Sequence, residues 1–260
     1  VDALCYSFST LGTGGFATKN ASIAAYNSVA IEWIICIFMI LAGVNFSLYF
    51  FLLTGRAREF FKNTELKAYF GILFTSILII TIFLVPQTNN IKEAFRLAAF
   101  QTATIMSTTG FATADYELWL PAAQLVLFFL MFVGGSSGST SGGVKVIRWV
   151  ILGKQMHNET KQMLHPHGVF SIRLNGEVGR KEVIYNVSAF FFLYFMLLVF
   201  TTFVVAGSGV DILTSFTTAL STVGNIGPGF GLIGPTENMG FFSDGVKWWL
   251  CFAMIAGRLE

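Results

Sequence analysis

Charge is scarce in this sequence. Of its 260 residues only 12% are Asp, Glu, Lys or Arg, whereas 54% are hydrophobic, and the mean hydropathy is +0.69. A soluble domain carries roughly one quarter charged residues, so this composition excludes a soluble globular chain and places the protein in lipid. Cysteine is rare as well. Cys5, Cys36 and Cys251 are scattered and mostly within apolar segments, a pattern that excludes a disulfide framework or thiolate metal spacing and reads as free thiols. The three histidines, His157, His165 and His167, share one hydrophilic connection. "HPHG" has Pro between its histidines and no Cys or carboxylate at ligand spacing, so it reads as a turn rather than a metal site. No paired aspartates, no Ser with His or Lys and no His/Glu metal motif stand at membrane depth, which argues against an intramembrane enzyme. A nucleotide motif is missing too. Val1 to Ser9 lacks the basic region of a cleavable signal peptide, and residues 1–27 read as the middle of a longer chain.

What is abundant is apolar length. Runs suited to spanning a bilayer, about 20 residues each, lie at 28–53, 67–86, 118–134, 184–206 and 246–260. They are helices, because an open sheet would leave backbone groups unpaired in hydrocarbon. Arg56, Arg58, Lys62 and Lys67 fill one loop. Lys145, Arg148, Lys154, Lys161, Arg173, Arg180 and Lys181 surround another, so eleven of the sixteen basic residues mark one side as cytoplasmic. The other side mixes Lys19, Lys92, Arg96 and Lys247 with Asp2, Glu93, Asp115, Glu117, Asp211, Glu237 and Asp244, an outer face that attracts cations. The net charge of +2 follows from topology and does not resemble a nucleic-acid stripe. Trp33, Trp119, Trp248 and Trp249 fit interfacial belts.

An internal repeat organises the chain. "STLGTGGFAT" (Ser9 to Thr18) aligns with "TIMSTTGFAT" (Thr104 to Thr113), and "STVGNIGPG" (Ser221 to Gly229) aligns with both. Each copy is a short half-spanning helix, a Gly/Thr/Ser turn and a full transmembrane helix. The second and third copies also have a full helix in front. Asn90 with Glu93 predicts a capping box before "IKEAFRLAAFQTATIM", and Asp211 an N-cap before "ILTSFTTALST". Both segments are too short to cross. A helix that stops inside the bilayer and returns as irregular backbone is tolerated only where it is buried in protein or lines a water-filled path. Its C-terminal end carries partial negative charge and stabilises cations. Glycines in the turns let successive carbonyl oxygens face one axis and replace the hydration shell of an alkali cation. The alternative is that small residues merely let helices pack closely.

A second constellation is "VGGSSGSTSGGVK", Val133 to Lys145. The stretch from Leu118 to Leu152 would make one helix of roughly 50 Å, far beyond the hydrocarbon core, so it must break in this Gly/Ser/Thr segment. The break is either a flexible cytoplasmic loop or an intramembrane one. Arg258 is a third candidate, because a charge inside a membrane segment is functional by default unless it snorkels to the interface.

Taken together, "STLGTGGFAT", "STTGFAT", "STVGNIGPG", "GGSSGSTSGGVK" and "GRLE" resemble the Trk/Ktr/HKT superfamily of potassium transporters, most closely its bacterial TrkH branch. The resemblance implies an all-α integral membrane protein with M1-P-M2 units (helix, half-helix pore loop, helix) around a pseudo-fourfold pore. It implies a K⁺ filter made by Thr13, Gly14 and Gly15; Thr108, Thr109 and Gly110; and Asn225, Ile226 and Gly227. It also implies a gate made by Gly134, Gly135, Ser136, Ser137, Gly138, Ser139, Thr140, Ser141, Gly142, Gly143 and Lys145, with Arg258 projecting below the filter. Only repeats two to four are recognisable: 1–66 as the end of repeat two, 67–153 as repeat three, 154–182 as a cytoplasmic connection and 183–260 as a truncated repeat four. The implied activity is K⁺ uptake across the bacterial inner (cytoplasmic) membrane. K⁺ is the transported ion, with no organic cofactor. The implied partners are a second copy in a homodimer, a cytosolic nucleotide-binding regulatory subunit of the TrkA type and membrane lipid, with no nucleic acid. The basic loops around Arg56 and Arg173 are the expected docking surfaces. A Na⁺-permeable or cation-coupled secondary transporter is the alternative, although such transporters normally repeat as bundles of several helices.

Overall fold

The computed structural model describes residues 1–166, 168, 170–175, 177, 178 and 181–259. His167 of "HPHG", Arg180 of the basic connection and Glu260 of "GRLE" lie outside the described residues. In chain order the helices are α1 (Asp2–Leu11), α2 (Val29–Ala42), α3 (Phe46–Leu53), α4 (Ala57–Lys62), α5 (Thr64–Thr88), α6 (Ile91–Met106), α7 (Pro121–Leu130), α8 (Val146–Leu164), α9 (Lys181–Ala206), α10 (Ile212–Gly224) and α11 (Asp244–Arg258). A two-residue antiparallel hairpin, β1 (Arg173–Leu174) with β2 (Glu177–Val178), stands between α8 and α9. The chain is an all-α integral membrane protein. Among the described residues two helices, within α5 and α9, are long and apolar enough to cross a membrane, or three spans if the bent pair α2 and α3 counts as one.

The half-helices form where their caps predict. Asp211 accepts the Thr214 N–H at 3.0 Å, which terminates α10 at its outer end, and hydrogen bonding from the Thr214 side chain together with that N–H holds the Asp211 carboxyl below the ordinary range. Asn90 caps α6 by accepting the Lys92 N–H at 3.1 Å. The reciprocal half of the expected capping box does not form. Glu93 faces Arg96 instead, and the Asn90 N–H turns to the Thr88 hydroxyl at 3.5 Å. Along α6 every residue from Ala98 to Met106 is buried, Gln101, Thr102 and Thr104 included; along α10 every residue from Thr217 to Gly224 is buried. These short helices sit inside protein. That is the condition under which a helix can end at membrane depth.

Long helices enclose them, α5 lying along α6 and α9 along α10, while α11 closes on α10 and α2 on α6. The main core cluster runs through Met39, Tyr69, Leu73, Ile80, Phe100, Ile105, Phe111, Tyr116, Leu127 and Val223, with smaller ones around Val205 and Leu250 and around Ile151 and Val187. Trp119 belongs to that interior rather than to an aromatic belt, since it is buried with its ring 6.5 Å from Tyr116. Glu32 on α2 meets Arg96 on α6 at 3.2 Å and ties the two helices together. Truncating one member of such a pair leaves the other charge buried, so Arg96→Ala is expected to lower stability in detergent by on the order of 2 kcal/mol. Adding Glu32→Gln is expected to recover part of that loss, which the melting temperatures of the single and double variants check.

The apolar run 28–53 departs from expectation. It bends by 95° between α2 and α3 rather than running as one straight helix. Tertiary contacts cause the bend. The Tyr69 hydroxyl of α5 donates to the Ile40 carbonyl at 3.0 Å and occupies the space that a Cβ on Gly43 would need. Asn45 then restarts the helix by accepting the Ser47 N–H at 2.8 Å. The stretch 118–152 does break, as its length requires: α7 stops at Leu130, α8 starts at Val146, and the Gly/Ser/Thr segment lies between them.

Candidate functional site

The three aligned turns share one backbone geometry. Thr13, Thr108 and Asn225 occupy the left-handed region with φ of 49°, 55° and 53°, and the glycine two residues later does the same, with φ of 69°, 85° and 104° at Gly15, Gly110 and Gly227. Hydrogen bonding repeats with the same register. Thr13 N–H donates to Thr10 O (3.3 Å) and Gly14 N–H to Ser9 O (2.8 Å); Thr108 to Ile105 (3.0 Å) and Thr109 to Thr104 (2.9 Å); Asn225 to Thr222 (3.1 Å) and Ile226 to Ser221 (2.9 Å). This is the Schellman closure of a helix C-terminus, and it leaves the following residues free of the helix. Asparagine tolerates a left-handed conformation, but a β-branched threonine there costs about 1–2 kcal/mol. Two such threonines in equivalent places mark a site where backbone strain is maintained by its surroundings.

The turns touch one another. A Cβ on Gly15 would collide with the Thr109 carbonyl oxygen, and one on Gly110 would lie 2.5 Å from that of Ile226. At Gly227 it would lie 3.5 Å from the Gly110 Cα. All nine residues expected for the filter are thus gathered in one place, at the C-terminal ends of α1, α6 and α10. A cavity of about 300 Å³ adjoins them, lined in part by Gly110, Gly227, Pro228, Glu237 and Met254.

The Gly/Ser/Thr segment lies directly against these turns. Its neck is pinched by the Gly134 N–H to Val144 O and Val146 N–H to Gly135 O bonds, both 3.0 Å. Side chains do not fit in the neck, because a Cβ on Gly134 would collide with Gly142 O. The tip reaches every turn. The Thr13 hydroxyl donates to the Thr140 carbonyl at 2.7 Å, the Gly142 N–H donates to the Thr108 hydroxyl at 2.6 Å, and a Cβ on Gly142 would lie 2.8 Å from Gly224 O. Arg258 donates to the same Thr140 carbonyl, and Lys145 folds back onto Ser141 O. Thus Thr13, Thr108 and Arg258 hold one short stretch, 140–142.

Other residues of this assembly were not foreseen from sequence. Gly43 O accepts from Ser136 N–H (2.8 Å) and Phe46 N–H donates to Gly138 O (3.1 Å), so the segment satisfies the backbone groups orphaned by the α2–α3 bend. Glu65, buried at the start of α5, accepts from the N–H groups of Ser137 (2.6 Å) and Ile147 (3.2 Å), bracing the segment and the first turn of α8 with one oxygen. An acidic residue opening an apolar helix after Asn63 was the one available signal. Its natural reading is a helix-start charge.

Comparison with known proteins identifies the family and the overall fold. A family model described as "TrkH: Cation transport protein" matches residues 1–260. The Trk system potassium uptake protein TrkH of Salmonella typhimurium is 34% identical over 264 residues, covering 100% of this chain and 54% of that protein. TrkG of Escherichia coli K12 is 34% identical over 262 residues and TrkI of Halomonas elongata 33% over 262, each covering 100% of this chain and 53% of the relative. The crystal structure of the potassium transporter TrkH from Vibrio parahaemolyticus superposes with a TM-score of 0.92 at 34% identity, over 99% of this chain and 56% of that one. The chain spans about half the length of the curated relatives it matches. It belongs to the TrkH family of cation transport proteins.

Proposed function

We propose that this chain supplies three of four repeats of a K⁺ uptake pathway in a bacterial cytoplasmic membrane, with filter turns at 13–15, 108–110 and 225–227 and a gate at 134–145. One observation carries the reading: three half-helices end in turns of identical left-handed pattern and identical hydrogen-bond register, in mutual contact. Left-handed residues on either side of one that is not left-handed allow successive carbonyls to line one path, and the negative ends of α1, α6 and α10 favour a cation there. K⁺ is the transported substrate. It is drawn to the acidic outer face, exchanges water for carbonyl oxygens and passes once 140–142 has moved from beneath the turns. Thr140 is the catch, because its carbonyl holds both the Thr13 hydroxyl and the Arg258 guanidinium. Arg258 also places a positive charge beside the path, a barrier for a passing cation.

The repeat boundaries that fit this reading are 67–153 and 183–260, with 1–66 closing the preceding repeat and 154–182 connecting on the cytoplasmic side. The names of the relatives refer to a Trk system. By likeness, the whole protein works as a homodimer with a cytosolic nucleotide-binding regulatory subunit of the TrkA type, docked on the basic loops around Arg56 and Arg173. The test is cation flux into liposomes from the complete natural chain, with K⁺, Rb⁺, Na⁺ and Li⁺ compared. The expected result is flux favouring K⁺ and Rb⁺. Equal or Na⁺-favouring flux would replace this reading with that of a Na⁺-permeable or cation-coupled transporter.

A further inference from the structure

Beyond each filter turn the chain needs a second support, because the Schellman bonds hold only its helix side. At the position two residues past the filter glycine, that support comes from the preceding repeat. The Ala112 N–H donates to the Ser22 hydroxyl at 3.3 Å and the Ala112 carbonyl accepts from the Ala24 N–H at 3.3 Å, both within the outer 3-10 turn Ser22–Tyr26. One repeat later, the Tyr116 hydroxyl donates to the Gly229 carbonyl at 2.6 Å, and the Glu117 carboxylate accepts from the Gly231 N–H, both from the outer 3-10 turn Tyr116–Leu118. Ala112 and Gly229 occupy the same repeat position, two residues after Gly110 and Gly227. The contacts bridge 90 and 113 residues and join neighbouring repeats.

We propose that the outer turn of each repeat is the positioning brace for the filter of the next, with Ser22 serving 108–112 and Tyr116 with Glu117 serving 225–231. This rests on the filter reading above. Tyr116 is fully buried, its ring 5.1 Å from that of Phe230, which follows Gly229. Burial pushes its phenol well above the ordinary range, so it remains an O–H donor to the carbonyl. Glu117 is packed where a Cβ on Gly234 would come within 2.7 Å of its Oε2, so its carboxylate wedges into the loop after the filter. A filter separates K⁺ from Na⁺ by carbonyl spacing and field. A carbonyl strand fixed from the neighbouring repeat makes selectivity a shared property of adjacent repeats.

The experiment is the K⁺ to Na⁺ flux ratio of the full natural chain in liposomes, with Tyr116→Phe, Ser22→Ala, Glu117→Ala and Glu117→Gln beside Gly110→Ser as reference. Tyr116→Phe removes one hydroxyl at constant volume and is expected to lower the ratio about three- to tenfold, the worth of one hydrogen bond, with the melting temperature in detergent close to that of the parent. Ser22→Ala, at a second brace, is expected to act in the same direction should Tyr116→Phe not fold. Glu117→Gln keeps an acceptor and is expected to restore the ratio lost in Glu117→Ala. An unchanged ratio in the folded brace variants while Gly110→Ser lowers it would overturn the brace and leave the filter standing. An unchanged ratio in Gly110→Ser as well would overturn both.

Discussion

Replacing Gly110 by serine is expected to lower the K⁺ over Na⁺ flux ratio at least about tenfold in the full natural chain. Gly110 has φ of +85°, where an L-residue costs about 1–2 kcal/mol, and its new Cβ would lie 2.5 Å from the Ile226 carbonyl oxygen. Backbone atoms cannot rotate away as a flexible side chain does, so the serine pushes the neighbouring turn and alters the oxygen spacing. A free energy of 1.4 kcal/mol is a factor of about ten, and the two costs act on the same carbonyls. Gly71 supplies the matched control. It lies in α5, and a Cβ added there would have no neighbour within 4 Å, so Gly71→Ala is expected to leave the ratio unchanged. Ion flux with both cations for the two variants checks the contrast, and an unaltered ratio in Gly110→Ser removes this glycine from the filter.

Deleting Gly138 to Gly142 is expected to raise basal K⁺ flux several-fold, to on the order of tenfold, without any regulatory partner. The deleted stretch contains the Thr140 carbonyl that holds Thr13 and Arg258, the Gly142 N–H that holds Thr108, and the Gly138 carbonyl that holds Phe46. Four latches go together. Each is a modest hydrogen bond in net terms, about 1 kcal/mol, and their loss moves a closed–open equilibrium by several factors of ten at most. The same deletion frees the hydroxyls of Thr13 and Thr108, so the K⁺ over Na⁺ ratio is expected to fall at the same time. Unaltered or lower basal flux in a folded variant would make the segment a plain linker.

The parts of the fold readable in sequence were those determined by local chemistry. α6 runs from Ile91 to Met106, the stretch that Asn90 and the following glycine-rich turn delimit, and α10 starts after Asp211 for the same reason. The break between Leu130 and Val146 follows from length and glycine content alone. The bend between α2 and α3 was hidden because Gly43 is a single glycine in an apolar run, and its cause is Tyr69, which comes from another helix. Repetition made the nine residues of the three turns stand out together, since three weak glycine clusters in register carry more information than one. Glu65 and Tyr116 stayed unseen. Their partners are backbone groups 72 and 113 residues away, and a backbone N–H or carbonyl leaves no trace in the sequence. Arg258 was visible as a charge at the end of an apolar run, but its partner Thr140 lies 118 residues upstream and could be identified only from the structure.

The central claim is that backbone carbonyls of the three turns bind a dehydrated cation. The most direct measurement is anomalous diffraction from crystals of the complete natural chain equilibrated with Rb⁺ in place of K⁺. The account predicts an anomalous peak among the turns at 13–15, 108–110 and 225–227, weakened by competing K⁺ and little affected by the same concentration of Na⁺. Rb⁺ density elsewhere in the protein, with none between these turns, would contradict it.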